Sequence, residues 1–146
     1  TWLAIRYARY AIRMRNDVYV QTKLTEFKRK FYMEQQDLKF IEEVNRFIAD
    51  NLTDPNFDIN MIATGMKMSR SAFFKKLKGM TGLSPQDFVK EYKLNHAVEL
   101  MQNPDISITD VAYLSGFNDA GYFGKCFKKK FGMSPREFMQ SRNEAD

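Results

Sequence analysis

The chain has one cysteine, Cys126, and one histidine, His96, among 146 residues. A single thiol excludes a disulfide framework and a four-cysteine zinc site, and it suits a reducing compartment. No run of about 18 apolar residues occurs, so nothing in the sequence is expected to span a membrane. Proline and glycine are scarce, at four and seven, which argues against an all-β plan. A glycine-rich phosphate loop, a nucleophile motif and a metal-ligand spacing are all missing. No cofactor, no metal and no catalytic residue is therefore expected. His96 follows Phe88 and Tyr92 at steps of four and reads as part of a half-buried helix face. Asp87, Asp110 and Glu137 stand at helix starts, where capping explains them better than acid–base chemistry.

What the sequence does have is apolar bulk. Thirteen Phe and nine Met contribute to a hydrophobic fraction of 44%. A domain of roughly 100 residues with that content can bury a core of its own. Net charge is +5, unevenly placed. Residues 1–30 hold eight Lys/Arg against two Asp/Glu, and the remainder holds fifteen against sixteen. Any nucleic-acid affinity of the globular part must come from local patches and not from bulk charge.

The chain also repeats itself. Ile62-Ala63, Ser69, Phe73, Leu77-Lys78, Gly82, Ser84-Pro85 and Phe88 recur as Val111-Ala112, Asp119, Phe123, Phe127-Lys128, Gly132, Ser134-Pro135 and Phe138. The offset is 49 at the first pair and 50 from Ser69 onward, so one extra residue enters the turn of the second copy.

Periodicity predicts an all-α fold in two parts: a basic helical arm over residues 1–36 and a seven-helix domain over 37–146. In the arm, Tyr7, Tyr10, Ala11, Met14 and Val18 share one helical face, and Arg6, Arg9 and Arg13 form a basic stripe. Leu24, Phe27 and Phe31 continue an apolar face beside Lys28-Arg29-Lys30; Asn16-Asp17, Val18 and Val20 are candidates to interrupt the helix. The domain opens with an amphipathic helix from Asp37 to about Asn51. A short helix capped by Asp58 and a second capped by Ser69 follow, the latter stopped at Gly82. Ser84-Pro85-Gln86-Asp87 starts a long helix with a buried stripe of Leu94, Ala97, Val98 and Met101. The second copy then repeats the pattern from Ser107, with Asn118 or Asp119 as cap and Gly132 as stop. Ser134-Pro135-Arg136-Glu137 is a capping box that opens a final helix to about Arg142.

A short helix, a tight turn and a second helix form the unit that places a reading helix in the major groove of DNA. Phe73, Leu77, Phe123 and Phe127, at i and i+4, dock the two second helices on the core. The outward faces then carry Arg70, Ser71, Phe74, Lys75 and Lys78 in copy one. In copy two they carry Ala120, Gly121, Gly124, Lys125, Lys128 and Lys129. Lysines there can pair with phosphates or guanine edges. About seventeen residues of linking helix, at ~1.5 Å each, give roughly 25 Å. That is comparable to one DNA turn of about 34 Å, so both helices could enter successive major grooves. Tandem copies without two-fold symmetry imply a non-palindromic site.

With these residues in view, the stretch from Ile108 to Phe138 resembles the signature of the AraC/XylS family of transcription regulators. Gly116-Phe117, Tyr122-Phe123, Phe127-Lys128-Lys129, Phe131-Gly132 and Ser134-Pro135 carry the resemblance. It covers Asp37 to about Ser141. It implies two helix-turn-helix units bridged by a long helix. It also implies that Ser71, Phe74, Lys75, Gly121 and Lys125 face bases or backbone. Two departures stand out: Met139 where the family often has Arg, and Ala120, Gly121 and Gly124 where polar readers often sit. Shape and phosphate contacts are therefore expected to dominate in copy two.

The arm has a fainter resemblance, to membrane-spanning receptors that regulate polysaccharide use. Trp2, Leu3 and Ile5 followed by Arg6, Arg9, Arg13 and Arg15 look like the cytoplasmic exit of a membrane helix. The chain starts at Thr1, which suggests a piece of a longer protein. The expected function is sequence-specific binding of double-stranded DNA to regulate transcription, in the cytoplasm, with the parent protein anchored in the inner membrane as the fuller expectation. RNA polymerase, a membrane reached through the parent protein and a homodimer formed by upstream regions are candidate partners. The rival reading is a helical interaction module that binds a partner helix or an anionic membrane. For the arm itself, a juxtamembrane or signalling helix, extra phosphate binding and a remnant without a role stay open.

Overall fold

Side-chain caps set where most of the helices begin. A computed structural model describes residues 2, 4–6, 8–9, 12–13, 20–23, 25 and 35–145. Asp58 accepts from the Met61 amide at 3.1 Å and Ser69 from Ala72 at 3.2 Å. Ser84 accepts from Asp87 at 3.2 Å and Ser107 from Asp110 at 3.0 Å. Asp119 takes both Gly121 and Tyr122, at 2.6 and 3.1 Å. Ser134 accepts from Glu137 at 3.1 Å, and the Glu137 carboxylate accepts in return from the Ser134 amide at 3.4 Å, closing the expected capping box. Each bond satisfies an amide that has no partner inside its helix.

The helices that result are α1 Gln35–Asp50, α2 Ile59–Gly65, α3 Arg70–Thr81, α4 Pro85–Leu100, α5 Ile108–Leu114, α6 Ala120–Phe131 and α7 Pro135–Ala145. No strand occurs among the described residues. Two boundaries differ from expectation. α1 starts two residues ahead of Asp37, and α7 continues past Arg142, where Asn143-Glu144-Ala145 holds no breaker to stop it. Gly82 and Gly132 end α3 and α6 in the left-handed region, with φ of 76° and 80°, and each amide bonds back at 2.8 Å to Lys78 or Lys128.

Contacts divide the chain into two compact units, one Val20–Tyr92 and the other Thr1–Tyr19 with Lys93–Asp146. α4 contributes its first half to one and its second half to the other. The core of the first unit is Phe40, Ile41, Val44 and Ile48 of α1, Ile62 and Ala63 of α2, Phe73 and Leu77 of α3, and Val89 of α4. The second core is richer in rings. Phe127 lies 5.7 Å from Phe123, 4.6 Å from Phe131 and 5.7 Å from Phe138, the last edge-on at 73°. Leu94, Ala97 and Val98 line it from α4, with Met101 just past the helix end, forming the predicted stripe.

Within that second unit the arm contributes too. Ile12 is 3% exposed and sits in the second core. Arg9 donates to the Arg142 carbonyl at 3.5 Å, and Arg13 donates to Gln102 Oε1 at 2.6 Å. The expected basic stripe is thus split. Arg6 is exposed and lies 5.3 Å from the Trp2 ring, Arg9 is buried and Arg13 is half-buried. Arg9 stands three residues before Ile12 and shares its buried face, and Arg13, four residues after Arg9, lies at the edge of that face. Val20, expected as an interrupter, is itself helical. The predicted apolar positions Tyr7, Tyr10, Ala11, Met14, Val18, Leu24, Phe27 and Phe31, with Asn16-Asp17, Arg15 and Lys28-Arg29-Lys30, lie outside the described residues. No described helix is long and apolar enough to cross a membrane.

Candidate nucleic-acid interface

The two copies build the same turn with the same bonds. Met66 bonds to the Ile62 carbonyl at 3.0 Å, and Ser115 to Val111 at 2.9 Å. Met68 bonds to Ala63, and Phe117 to Ala112, each at 2.9 Å. These pairs keep the offset of 49. Phe73 to Ser69 and Phe123 to Asp119, each at 3.0 Å, already show the offset of 50. The extra residue of copy two is therefore Asn118, placed between the turn and the cap. Ala63 and Ala112 are 2% and 0% exposed, as a close helix-to-helix approach requires.

In copy one, Phe73, Leu77 and Thr81 of α3 face the core. That leaves Arg70, Ser71, Lys75 and Lys78 exposed, as expected. Phe74 is half-buried and packs partly on the first core. Its ring meets Phe73 edge-on at 6.3 Å, and the Arg70 guanidinium stands 5.0 Å from its centroid. The run Lys75-Lys76-Lys78 is not one face. Lys76 turns to α1, 4.6 Å from the Phe40 ring and 3.8 Å from Asp37. Lys75 and Lys78 stay in solvent.

In copy two, Phe123, Phe127 and Phe131 of α6 are buried, and Gly121, Lys125, Lys128 and Lys129 are exposed. Ala120 and Gly124 are half-buried, and Ala120 packs on the second core. Lys130 lies 5.5 Å from the Phe131 ring, apart from its two neighbours. A Cβ on Gly121 would stand 3.1 Å from the Asp119 carboxylate that caps the helix. A side chain there would press on the cap, so glycine suits the position. The Asp119 carboxylate also puts a negative charge where copy one has the neutral Ser69. That reduces the pull of the α6 amino terminus on phosphate.

Tyr122 is the outward residue that sequence reasoning missed. It is 49% exposed, in the first turn of α6, with its ring 6.1 Å from Phe117. Its signal was available: Tyr122, Lys125 and Lys129 fall at i, i+3 and i+7. Tyr113 and Leu114 at the end of α5 are likewise exposed.

The remaining candidates read as structure. His96 is half-buried and pairs with Glu99 at 3.3 Å. Cys126 is a free thiol packed against the second core. Lys93 has a resolved perturbation: burial lowers its pKa below the usual lysine value, and its ammonium lies 5.7 Å from the Phe117 ring. Among the described residues no cluster of His, Cys, Asp or Glu could hold a metal.

Two units of short helix, turn and second helix, each with exposed lysines on the second helix, define a helix-turn-helix nucleic-acid reader. Known proteins carry the same design. The family model described as "Helix-turn-helix domain" matches residues 62–141. The chain is 33% identical over 98 residues to the HTH-type transcriptional activator RhaS of Escherichia coli, a match covering 66% of this chain and 34% of that protein. It is 30% identical over 108 residues to Histidine kinase P4 of Formosa agariphila, covering 74% of this chain and 8% of that protein. A solved transcriptional regulator with an AraC-type DNA-binding domain, from Chromobacterium violaceum, shares its fold. That match has a TM-score of 0.66 at 23% identity, over 75% of this chain and 96% of the other. The chain belongs to the helix-turn-helix domain family and is a DNA-binding domain of the kind found in transcription regulators. It spans only a minor share of the curated relatives it matches.

Proposed function

We propose that residues 37–146 read a non-palindromic site in duplex DNA, with α3 and α6 in successive major grooves. The carrying observation is that the outward faces of α3 and α6 present lysine at matched repeat positions, Lys75 with Lys125 and Lys78 with Lys128, while the buried faces are matched as well. Residues near a reading helix's amino terminus reach base edges, and those near its end reach phosphates. That assigns Ser71, Phe74 and Lys75 to bases. Lys78, Lys128 and Lys129, in the last turns, go to phosphates, and Arg70 and Lys125 can serve either. Ala120 and Gly121 offer a bare approach to the groove.

We further propose that the chain is the DNA-reading end of a longer signalling protein, with residues 1–36 as its linker from a membrane-anchored sensor. The 8% share of Histidine kinase P4 that this chain matches supports that reading, as do the eight basic residues within the first thirty. RNA polymerase, and a second copy paired through upstream regions, are the partners this role would call on. The testing experiment is selection of duplexes from a randomised pool, followed by titration of the selected and scrambled duplexes at several salt concentrations. A sequence preference that survives added salt supports the reading. Equal affinity for any polyanion, falling steeply with salt, would favour an interaction module.

A further inference from the structure

The α3 surface carries an unusual feature for a polar groove: an aromatic ring in the reading position. Phe74 is held edge-on by Phe73 and packs on the first core, and the Arg70 guanidinium lies over the ring, 5.0 Å from its centroid. Ser69, Arg70, Ser71 and Phe74 line one shallow depression. Arg70 and Ser71 precede Phe74 by four and three residues, so a fork of donors, a hydroxyl and an apolar face converge at the amino-terminal turn of α3.

We propose that this depression reads a thymine with a guanine beside it, Phe74 seating the thymine 5-methyl group and Arg70 the guanine O6 and N7. The inference rests on the DNA-reading assignment above and names what that site selects. Only thymine shows an apolar group in the major groove. A purine placed against the Phe74 ring would lose the water on its N7 with nothing to bond, and such groups are costly to leave unpaired, while cytosine would bring only a C5–H and leave the methyl seat empty. The ring cannot supply a donor or an acceptor, so it selects by exclusion as much as by contact. The guanidinium, held over the ring, has the planar fork that matches guanine bidentately.

The test uses the duplex that the protein itself selects from a randomised pool. Each thymine in the half read by copy one is replaced in turn by deoxyuridine, which removes the methyl and leaves every hydrogen-bonding edge intact. At one position the replacement should weaken binding about fourfold, the value of burying one methyl group. The Phe74→Ala variant should bind the two duplexes equally. Replacing the neighbouring guanine by 7-deazaguanine should weaken binding by the wild type and not by Arg70→Ala. Because Phe74 also packs on the core, Phe74→Gln serves as a second variant; its own selected site should lose thymine at that position in favour of adenine, which Gln pairs bidentately. A selected site indifferent to every deoxyuridine overturns the inference and leaves the DNA-reading assignment standing. So does methyl sensitivity that persists in Phe74→Ala and Phe74→Gln. A pool from which no sequence emerges overturns that assignment and this inference together.

Discussion

Lys67 and Gly116 stand at the same point of the two turns, and both take the left-handed backbone, with φ of 58° and 99°. Their amides make the same bond, to Thr64 at 3.0 Å and to Tyr113 at 3.1 Å. The geometry is thus shared, and only copy two supplies the residue that adopts it without a Cβ penalty. Lys67→Gly should relieve about 1 kcal/mol of backbone strain but add flexibility to the unfolded chain, for a net gain below about 1 kcal/mol. Gly116→Ala should lose about 1 kcal/mol or more, because a Cβ is forced onto positive φ. Urea unfolding midpoints of the two variants check the pair, and a gain from Gly116→Ala would contradict the shared-turn account.

The two cores give different penalties for comparable truncations. Leu77 and Phe127 are both 0% exposed. Leu77→Ala should cost about 2–5 kcal/mol in the first unit, and Phe127→Ala about 3–5 kcal/mol in the second. The larger loss is expected at Phe127, which touches three other rings. Chemical denaturation read by circular dichroism measures both. A shift under about 1 kcal/mol in either would mean that the helix is turned the other way.

Much of this was legible in the sequence because the chain states its helix boundaries locally. Asp58, Ser69, Ser84, Ser107, Asp119 and Ser134 cap as their residue types prescribe, and Gly82 and Gly132 stop α3 and α6. The i, i+4 pairs at Phe73 and Phe123 fixed which way the two helices face, and that placed Arg70, Ser71, Lys75, Lys78, Gly121, Lys125, Lys128 and Lys129 on the surface. Periodicity is weaker at the flanks of a buried face. Phe74, Ala120 and Gly124 sit there and are half-buried, and Tyr122, beside the core Phe123, was overlooked although it is exposed. Tertiary pairing was not legible at all. Nothing local to Lys76 says that it will meet Phe40 and Asp37, and nothing local to Arg9 says that it will meet the carbonyl of Arg142.

Lys93 provides a pH-dependent signature. Burial lowers its pKa, so the folded chain holds this proton less tightly than the unfolded chain does. The cost is present in full below the folded pKa. It fades as pH rises through that value toward the ordinary lysine pKa of 10.5, so stability from this group increases with pH there. Lys93→Met removes the charge and keeps the stem. Its midpoint should exceed the wild type at neutral pH, and the difference should narrow as pH climbs toward 10.5. A difference that widens with pH would show that the ammonium is stabilised by its surroundings, the Phe117 ring among them.

The copies should contribute unequally to discrimination. Lys75→Ala should weaken specific binding by about 1–3 kcal/mol, the scale of one lost base or phosphate contact. Base-pair swaps under the copy-one half should cost more than swaps under the half read by copy two, where Ala120 and Gly121 carry no reading group. Tyr122→Ala tests the exception. This variant removes a ring and a hydroxyl that are 49% exposed in the first turn of α6, and it should weaken binding to the selected duplex; an unchanged titration would mean that Tyr122 stays clear of the DNA. Greater losses from the copy-two half would reverse the assignment.

The arm separates two quantities, stability and specificity. Ile12 sits in the second core, Arg9 bonds the Arg142 carbonyl and Arg13 bonds Gln102. A chain starting at Glu34 loses all three contacts, and the loss of a buried isoleucine alone should cost about 1.5–3 kcal/mol. Non-specific affinity should fall as well, because the lost lysines and arginines no longer displace counterions from the duplex. The ratio of selected to scrambled affinity should survive, because the reading residues from Arg70 to Lys129 are untouched. Ile12→Ala divides the two effects: it should lower the unfolding midpoint while leaving the charge of the arm unchanged, so the salt dependence of binding stays that of the full chain. Unfolding and duplex titrations of both variants, below their unfolding range, provide the measurement. An unchanged midpoint in Ile12→Ala would mean that the arm does not dock on the second unit. A collapse of the affinity ratio in the shortened chain, with its fold intact, would make the arm part of the reader.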